Sequence, residues 1–148
     1  MKAIILLCLL IVAWSQSGSI NVKPVDPTLF ASTSYTVNFY TFNNMNTTSA
    51  IILNFTATYI TVPNGALNVT ATINGTAVSG GTPPSANCTN SICTLKMNRA
   101  ISAGQGTTII FLIGNLVNPF FQRSQSITAN ITFNSSYFET PSWVIPQN

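Results

Sequence analysis

Leu67-Asn68-Val69-Thr70-Ala71-Thr72-Ile73-Asn74-Gly75 alternates apolar and polar side chains and then meets Asn-Gly. A period of two puts Leu67, Val69, Ala71 and Ile73 on one face of a β-strand. Asn-Gly is the pair best suited to the two left-handed conformations of a tight hairpin, and Val62-Pro63-Asn64-Gly65 supplies a turn ahead of the strand.

The same reading extends in both directions. Tyr35, Val37 and Phe39 alternate with Thr36, Asn38 and Tyr40, and Ile51, Leu53 and Phe55 with Ile52, Asn54 and Thr56. Downstream, Cys93, Leu95 and Met97 alternate with Ile92, Thr94 and Lys96, and Ile127, Ala129, Ile131 and Phe133 with Thr128, Asn130, Thr132 and Asn134. Thr107 to Ile113 (TTIIFLI) is apolar on both faces, which predicts a central strand ended by Gly114 to Pro119 (GNLVNP). Val78 to Ala86 (VSGGTPPSA) reads as a loop within one domain, because the segments beside it are too short for separate cores. Turns recur too often for long helices, so the expectation is an all-β chain, a two-sheet sandwich of seven or eight strands.

The first residues read as a secretory signal peptide: Met1-Lys2, the apolar run Ala3 to Ala13, and then Trp14-Ser15, with cleavage expected after Ser15 or Ser17. That run is shorter than the roughly 20 residues a membrane span needs. Residues 1–15 are thus expected to leave and 16–148 to form one domain. The longest later apolar run is Ile109 to Ile113, and the end Pro146-Gln147-Asn148 is polar, so no membrane span is expected in the mature chain. Cleavage removes Cys8 and leaves an even pair, Cys88 and Cys93, which an oxidising compartment would join.

Charged residues make up 5% of the chain, against about 25% in an ordinary domain. The mature segment holds Lys23, Lys96, Arg99 and Arg123 against Asp26 and Glu139, a net +2. Four scattered cations cannot follow a phosphate backbone, so nucleic acid is not an expected partner. There is no His, and a carboxylate pair would have to be Asp26 with Glu139 from opposite ends of the chain. The inventory lacks a catalytic triad and a metal ligand set, so no catalytic residue, metal or cofactor is expected. Neither is an enzyme.

Sequons for N-linked glycans stand at Asn46, Asn54, Asn68, Asn74, Asn87, Asn130 and Asn134. Asn54, Asn68 and Asn130 fall out of phase with their apolar neighbours and are expected to face solvent. Asn87 is the poorest acceptor, since Cys88 occupies its middle position. Covalent glycans would wet a surface short of charge.

Two Pro-interrupted apolar stretches remain. Ile20, Val22, Val25, Leu29 and Phe30 surround Pro24 and Pro27, while Trp143, Val144 and Ile145 lie between Pro141 and Pro146. Proline confines such segments to sheet edges, where they either pair within the domain or add to a neighbouring copy. Tyr40, Tyr59, Trp143 and Phe120-Phe121 are candidates for stacking on sugars or anchoring an interface.

Residues 50–134 resemble repeats of large extracellular proteins of ciliates. The resemblance rests on the strand ending in Val62-Pro63, the Cys88/Cys93 pair, Ile101-Ser102-Ala103-Gly104, and the run from Thr107 through Gly114-Asn115-Leu116-Val117 to Asn118-Pro119. It implies an immunoglobulin-like β domain. The resulting expectation is a secreted, self-assembling glycoprotein, the subunit of a fibre or coat whose partners are copies of itself, joined by β-strand addition. The second expectation is a carbohydrate-binding or adhesive module.

Overall fold

The computed structural model describes residues 19–41, 44–56, 58–102, 106–121, 124–125, 127–131, 136–139 and 143–144. Every regular element among them is a strand. In chain order these are β1 (Ser19–Pro24), β2 (Ser32–Thr41), β3 (Ala50–Asn54), β4 (Gly65–Leu67), β5 (Val69–Ile73), β6 (Thr76–Ala77) and β7 (Ser85–Thr89). There follow β8 (Ile92–Lys96), β9 (Thr107–Val117), β10 (Ser124–Gln125), β11 (Thr128–Ile131), β12 (Ser136–Glu139) and β13 (Trp143–Val144). One antiparallel sheet has the order β1-β2-β9-β5-β6 and the other β12-β11-β3-β8-β7-β4, with β10 and β13 paired separately. Against the expected seven or eight strands, the described residues hold thirteen pieces, because edge segments are short and one predicted strand is divided.

The apolar phase of each strand determines the core. Tyr35, Val37 and Phe39 of β2 and Ile109, Phe111 and Ile113 of β9 bury against Ile51 and Leu53 of β3 and Cys93 and Leu95 of β8. Full burial of such side chains is worth about 1.5–3 kcal/mol each. The division falls at Asn68: Leu67 pairs with Ala86 in the six-stranded sheet, while Val69 pairs with Ile113 in the other. The alternation survives the switch, so Ala71 is buried and Leu67, Val69 and Ile73 pack against the core.

β9 is central in its sheet, as its composition predicts, between β2 and β5. Only one of its faces is covered, however; Ile110 is half-buried and Leu112 exposed. Nor does Gly114 end it. Thr33 pairs with Leu116 and Tyr35 with Ile113, so Gly114-Asn115 stands opposite Ser34 alone and β9 carries one extra residue. This bulge uses the left-handed conformation of Asn115 (φ 66°). It resets the phase, so Leu116 and Asn118 turn inward where unbroken alternation would have pointed them out.

Two tight hairpins turn through left-handed residues, the first of them the expected Asn-Gly. Asn74 and Gly75, at φ 48° and 80°, join β5 to β6, and Asn90 and Ser91, at 51° and 63°, join β7 to β8. The second hairpin sets Cys88 directly opposite Cys93, and the two form a buried disulfide with Cα atoms 4.0 Å apart. That closeness belongs to the non-hydrogen-bonded position of an antiparallel pair.

Candidate interaction surfaces

The positions singled out in the sequence fall into three places. Of the sequons, Asn46, Asn68, Asn74 and Asn87 are exposed and Asn54 is half-exposed. Asn130 stands opposite Ile52 in the ladder, and Asn134 lies outside the described residues. Asn54 is on the outer face of β3, and Asn87 two strands away on the same face of β7. At two sequons the chain closes an Asx turn: the Oδ1 of Asn46 accepts from the Thr48 N–H at 2.9 Å and hydroxyl at 2.7 Å. Asn54 Oδ1 accepts from Thr56 at the same two distances. These bonds engage the carbonyl oxygen, and a glycan attaches at the nitrogen.

Of the candidate assembly residues, Ile20 and Val22 are buried in β1, which pairs with β2 of its own chain. Val25, Leu29 and Phe30 lie beyond its end, in the loop of residues 25–31. Trp143 and Val144 pair with Gln125 and Ser124, and Ile145 lies outside the described residues. β1 is the longest edge strand among the described residues; the other edges of the two large sheets are β6, β4 and β12, and β10 and β13 pair alone.

The third place is one end of the sandwich, where β1 finishes, β2 starts and β9 finishes. Six large apolar side chains are exposed among the described residues, and four gather here: Phe30 at 72%, Phe120 at 71%, Val25 at 60% and Tyr59 at 48%. Phe121 makes edge contacts with both Tyr59 (4.7 Å between centroids) and Phe120 (4.6 Å). Of the sequence candidates for stacking, Tyr59, Phe120 and Phe121 therefore meet, while Tyr40 lies half-buried on the outer side of β2.

The loop presenting Phe30 is held by a polar knot that sequence reasoning missed. Asn118, turned inward by the bulge, accepts from the Tyr35 hydroxyl at 2.5 Å and donates from Nδ2 to the carbonyls of Asp26 (2.8 Å) and Thr28 (2.7 Å). Its N–H donates to Ala31 O at 2.9 Å, and the Phe30 N–H donates to Pro119 O at 3.0 Å. The Asn118 side chain thus uses both donors and its acceptor while buried, which is the condition for an amide in a core. Burial pushes the Tyr35 phenol well above its ordinary pKa. The one available signal was Asn-Pro after a strand, and it reads locally as a stop.

Charge is arranged sparsely. Asp26, on the same loop, is fully exposed, and hydrogen bonds from the Thr28 side chain and N–H hold its carboxyl below the usual value. Arg99 lies on the connection from β8 to β9, where a guanidinium nitrogen donates to Gly80 O and its buried Nε has no partner. Lys23 and Lys96 stand on the outer faces of β1 and β8; Glu139 pairs in the ladder with Thr128, and Arg123 lies outside the described residues. No group of three His, Cys, Asp or Glu side chains that could hold a metal occurs among the described residues. No helix there is long and apolar enough to cross a membrane.

Compared with known proteins, the chain matches no family model, no curated protein and no solved structure.

Proposed function

We propose that this chain is an exported structural glycoprotein, an immunoglobulin-like sandwich that assembles with copies of itself into a fibre or coat and performs no catalysis. The observation that carries this reading is the β1 edge. It is six residues long, its inner side chains are buried, and no described strand pairs with its second side. Such an edge is a template for strand addition; among the described residues Lys23 and the terminal Pro24 stand on it, and β12 of the other sheet comes near it. Support for export comes from the signal-like first residues and the disulfide, a bond that persists in oxidising compartments. The exposed sequons suit a surface that must stay wet with few charges. Electron microscopy and sedimentation of the native glycoprotein test the proposal. Ordered polymers are expected; monodisperse monomers at high concentration, unchanged on deleting residues 20–30, would refute it.

A second reading, a carbohydrate-binding or adhesive module, is favoured by the joined rings of Tyr59, Phe121 and Phe120. A glycan array probed with the secreted protein should then give signals that Phe120→Ala removes.

A further inference from the structure

The loop at the aromatic end is built at a conformational cost. Six non-glycine residues have positive φ among the described residues; four are asparagine, which tolerates it, and one is Phe30 at 60°. A bulky side chain is disfavoured in that region, yet here it is held there by Phe30 N–H to Pro119 O and by the Asn118 knot. The result is a phenyl ring projecting into solvent from a fixed backbone. Strain that persists around an exposed ring, rather than a buried one, gives no packing in return within the subunit.

The same loop carries Asp26, whose N–H is anchored to Thr33 Oγ1 at 3.0 Å. Its charge complement lies beyond the other end of β2. Arg99 is two residues from Ile101, which bridges to Met45, four residues past the last residue of β2. Ten strand residues span roughly 30 Å, so Asp26 and Arg99 cannot meet within one subunit. Arg99 lines a shallow hollow together with Ser79, Gly80, Gly81, Thr82, Asn98 and Ala100. Two of its lining residues are glycines in the left-handed region, Gly80 and Gly81 at φ 72° and 67°, and a Cβ on Gly81 would stand 3.8 Å from the guanidinium, in ordinary contact. A guanidinium can donate to a carboxylate at its edge and take an aromatic ring on its face.

From these positions we infer that the tip loop of one copy, Asp26 with Phe30, docks into the Arg99 hollow of the next, joining subunits head to tail. This rests on the fibre reading and adds to it a contact separate from strand addition at the β1 edge. A head-to-tail contact uses two different surfaces, so it propagates into an open polymer or a ring rather than stopping at a dimer. The occupant is a second copy because the chain itself supplies both halves with opposite charge; the tip loop and the hollow's lining contain no sequon, and the nearest, Asn46 and Asn74, stand at the hollow's end outside its lining.

Charge reversal tests it. Asp26→Arg and Arg99→Asp are each expected to raise the concentration needed for assembly of the full secreted protein by at least about tenfold, read by sedimentation velocity and electron microscopy. A 1:1 mixture of the two variants places each arginine tip against an aspartate hollow and each aspartate tip against an arginine hollow. Alternating polymers should return in the mixture, which neither misfolding nor an edge-strand contact would produce. Phe30→Asn keeps the left-handed backbone, and should impair assembly without lowering the melting temperature. Single variants that assemble like wild type, a mixture that stays dispersed, or a Phe30→Asn protein that polymerises normally would overturn the head-to-tail contact while leaving the fibre reading standing. A wild-type protein that never assembles overturns both.

Discussion

Removing the Asn118 side chain should detach the tip loop from the sandwich, and its cost follows from the bonds it makes. Asn118→Ala leaves the Tyr35 hydroxyl buried without its acceptor and withdraws donors from Asp26 O and Thr28 O. A buried polar group left without a partner costs about 1–3 kcal/mol. The two carbonyls belong to exposed residues and can reach water once the loop loosens, and Thr28 O still accepts from the Ala31 N–H. Their share is small. With the space left by the side chain, the total should be about 3–4 kcal/mol. Tyr35→Phe removes only the hydroxyl and leaves the Asn118 oxygen unpaired, for about 1–3 kcal/mol. In the double variant neither orphan remains, so its loss should be close to that of Asn118→Ala alone, which makes the coupling equal to the Tyr35→Phe loss, about 1–3 kcal/mol. Urea titrations followed by circular dichroism measure all three. A loss below about 1 kcal/mol for Asn118→Ala, or strict additivity in the cycle, would refute the account of the knot.

Further outcomes follow from the same structure. Because burial raises the Tyr35 pKa in the folded state, its contribution is complete below the free phenol value of about 10 and is lost as pH rises beyond it, by up to about 1.4 kcal/mol per unit. Alkaline unfolding should be shallower in Tyr35→Phe. Asp26, with its folded pKa lowered, has the opposite sign: its contribution is present above the ordinary carboxylate range and is lost only as pH falls below it, so polymers formed at neutral pH should persist at pH ~5 and fall apart in stronger acid. Both sulfurs of Cys88–Cys93 are buried, so a reductant should open the bond only as fast as the domain unfolds, and the reduced form should be about 2 kcal/mol less stable; rapid thiol labelling of the native protein would contradict this. Mass spectrometry of protein secreted from eukaryotic cells should find glycans at Asn46, Asn54, Asn68 and Asn74 with lower occupancy at Asn87, and equal occupancy at Asn87 would remove the argument from its bonded neighbour Cys88.

The sequence revealed the fold wherever one short rule applied. Period-two alternation gave the buried faces of β2, β3, β5 and β8 by residue, since Tyr35, Leu53, Ala71 and Leu95 all lie inside, and Asn74-Gly75 made the hairpin its chemistry demands. What escaped depends on contacts between distant segments. The strand through Asn68 changes sheets because Leu67 and Val69 find different partners, Ala86 and Ile113, and nothing local marks that exchange. The bulge at Gly114-Asn115 looked like a strand end, since Gly and Asn are turn residues as well as bulge residues. Missing the bulge meant missing Asn118, whose inward orientation depends on the one-residue shift. Phe30 reads as part of an apolar strand, yet its backbone is fixed by Pro119 and Asn118, about ninety positions along the chain.

A chain with so few charges makes each unpaired one more specific. In an ordinary surface an exposed Asp and a distant Arg meet many competing ions and contribute little. Here the described residues hold only Lys23, Asp26, Lys96, Arg99 and Glu139, so Asp26 has few alternative partners on a neighbouring copy. The sequons act on the other side of that choice. Asn54 and Asn87 on the outer face of the six-stranded sheet would carry glycans where exposed Ile92 could otherwise stick to a second copy. The tip loop and the Arg99 hollow contain none. Glycans at Asn54 and Asn87 would close that broad face to a second copy, while the sequons nearest the hollow, Asn46 beside the Met45–Ile101 bridge and Asn74 in the β5–β6 hairpin, stand outside its lining, so the tip loop and the hollow stay available for growth along a single direction.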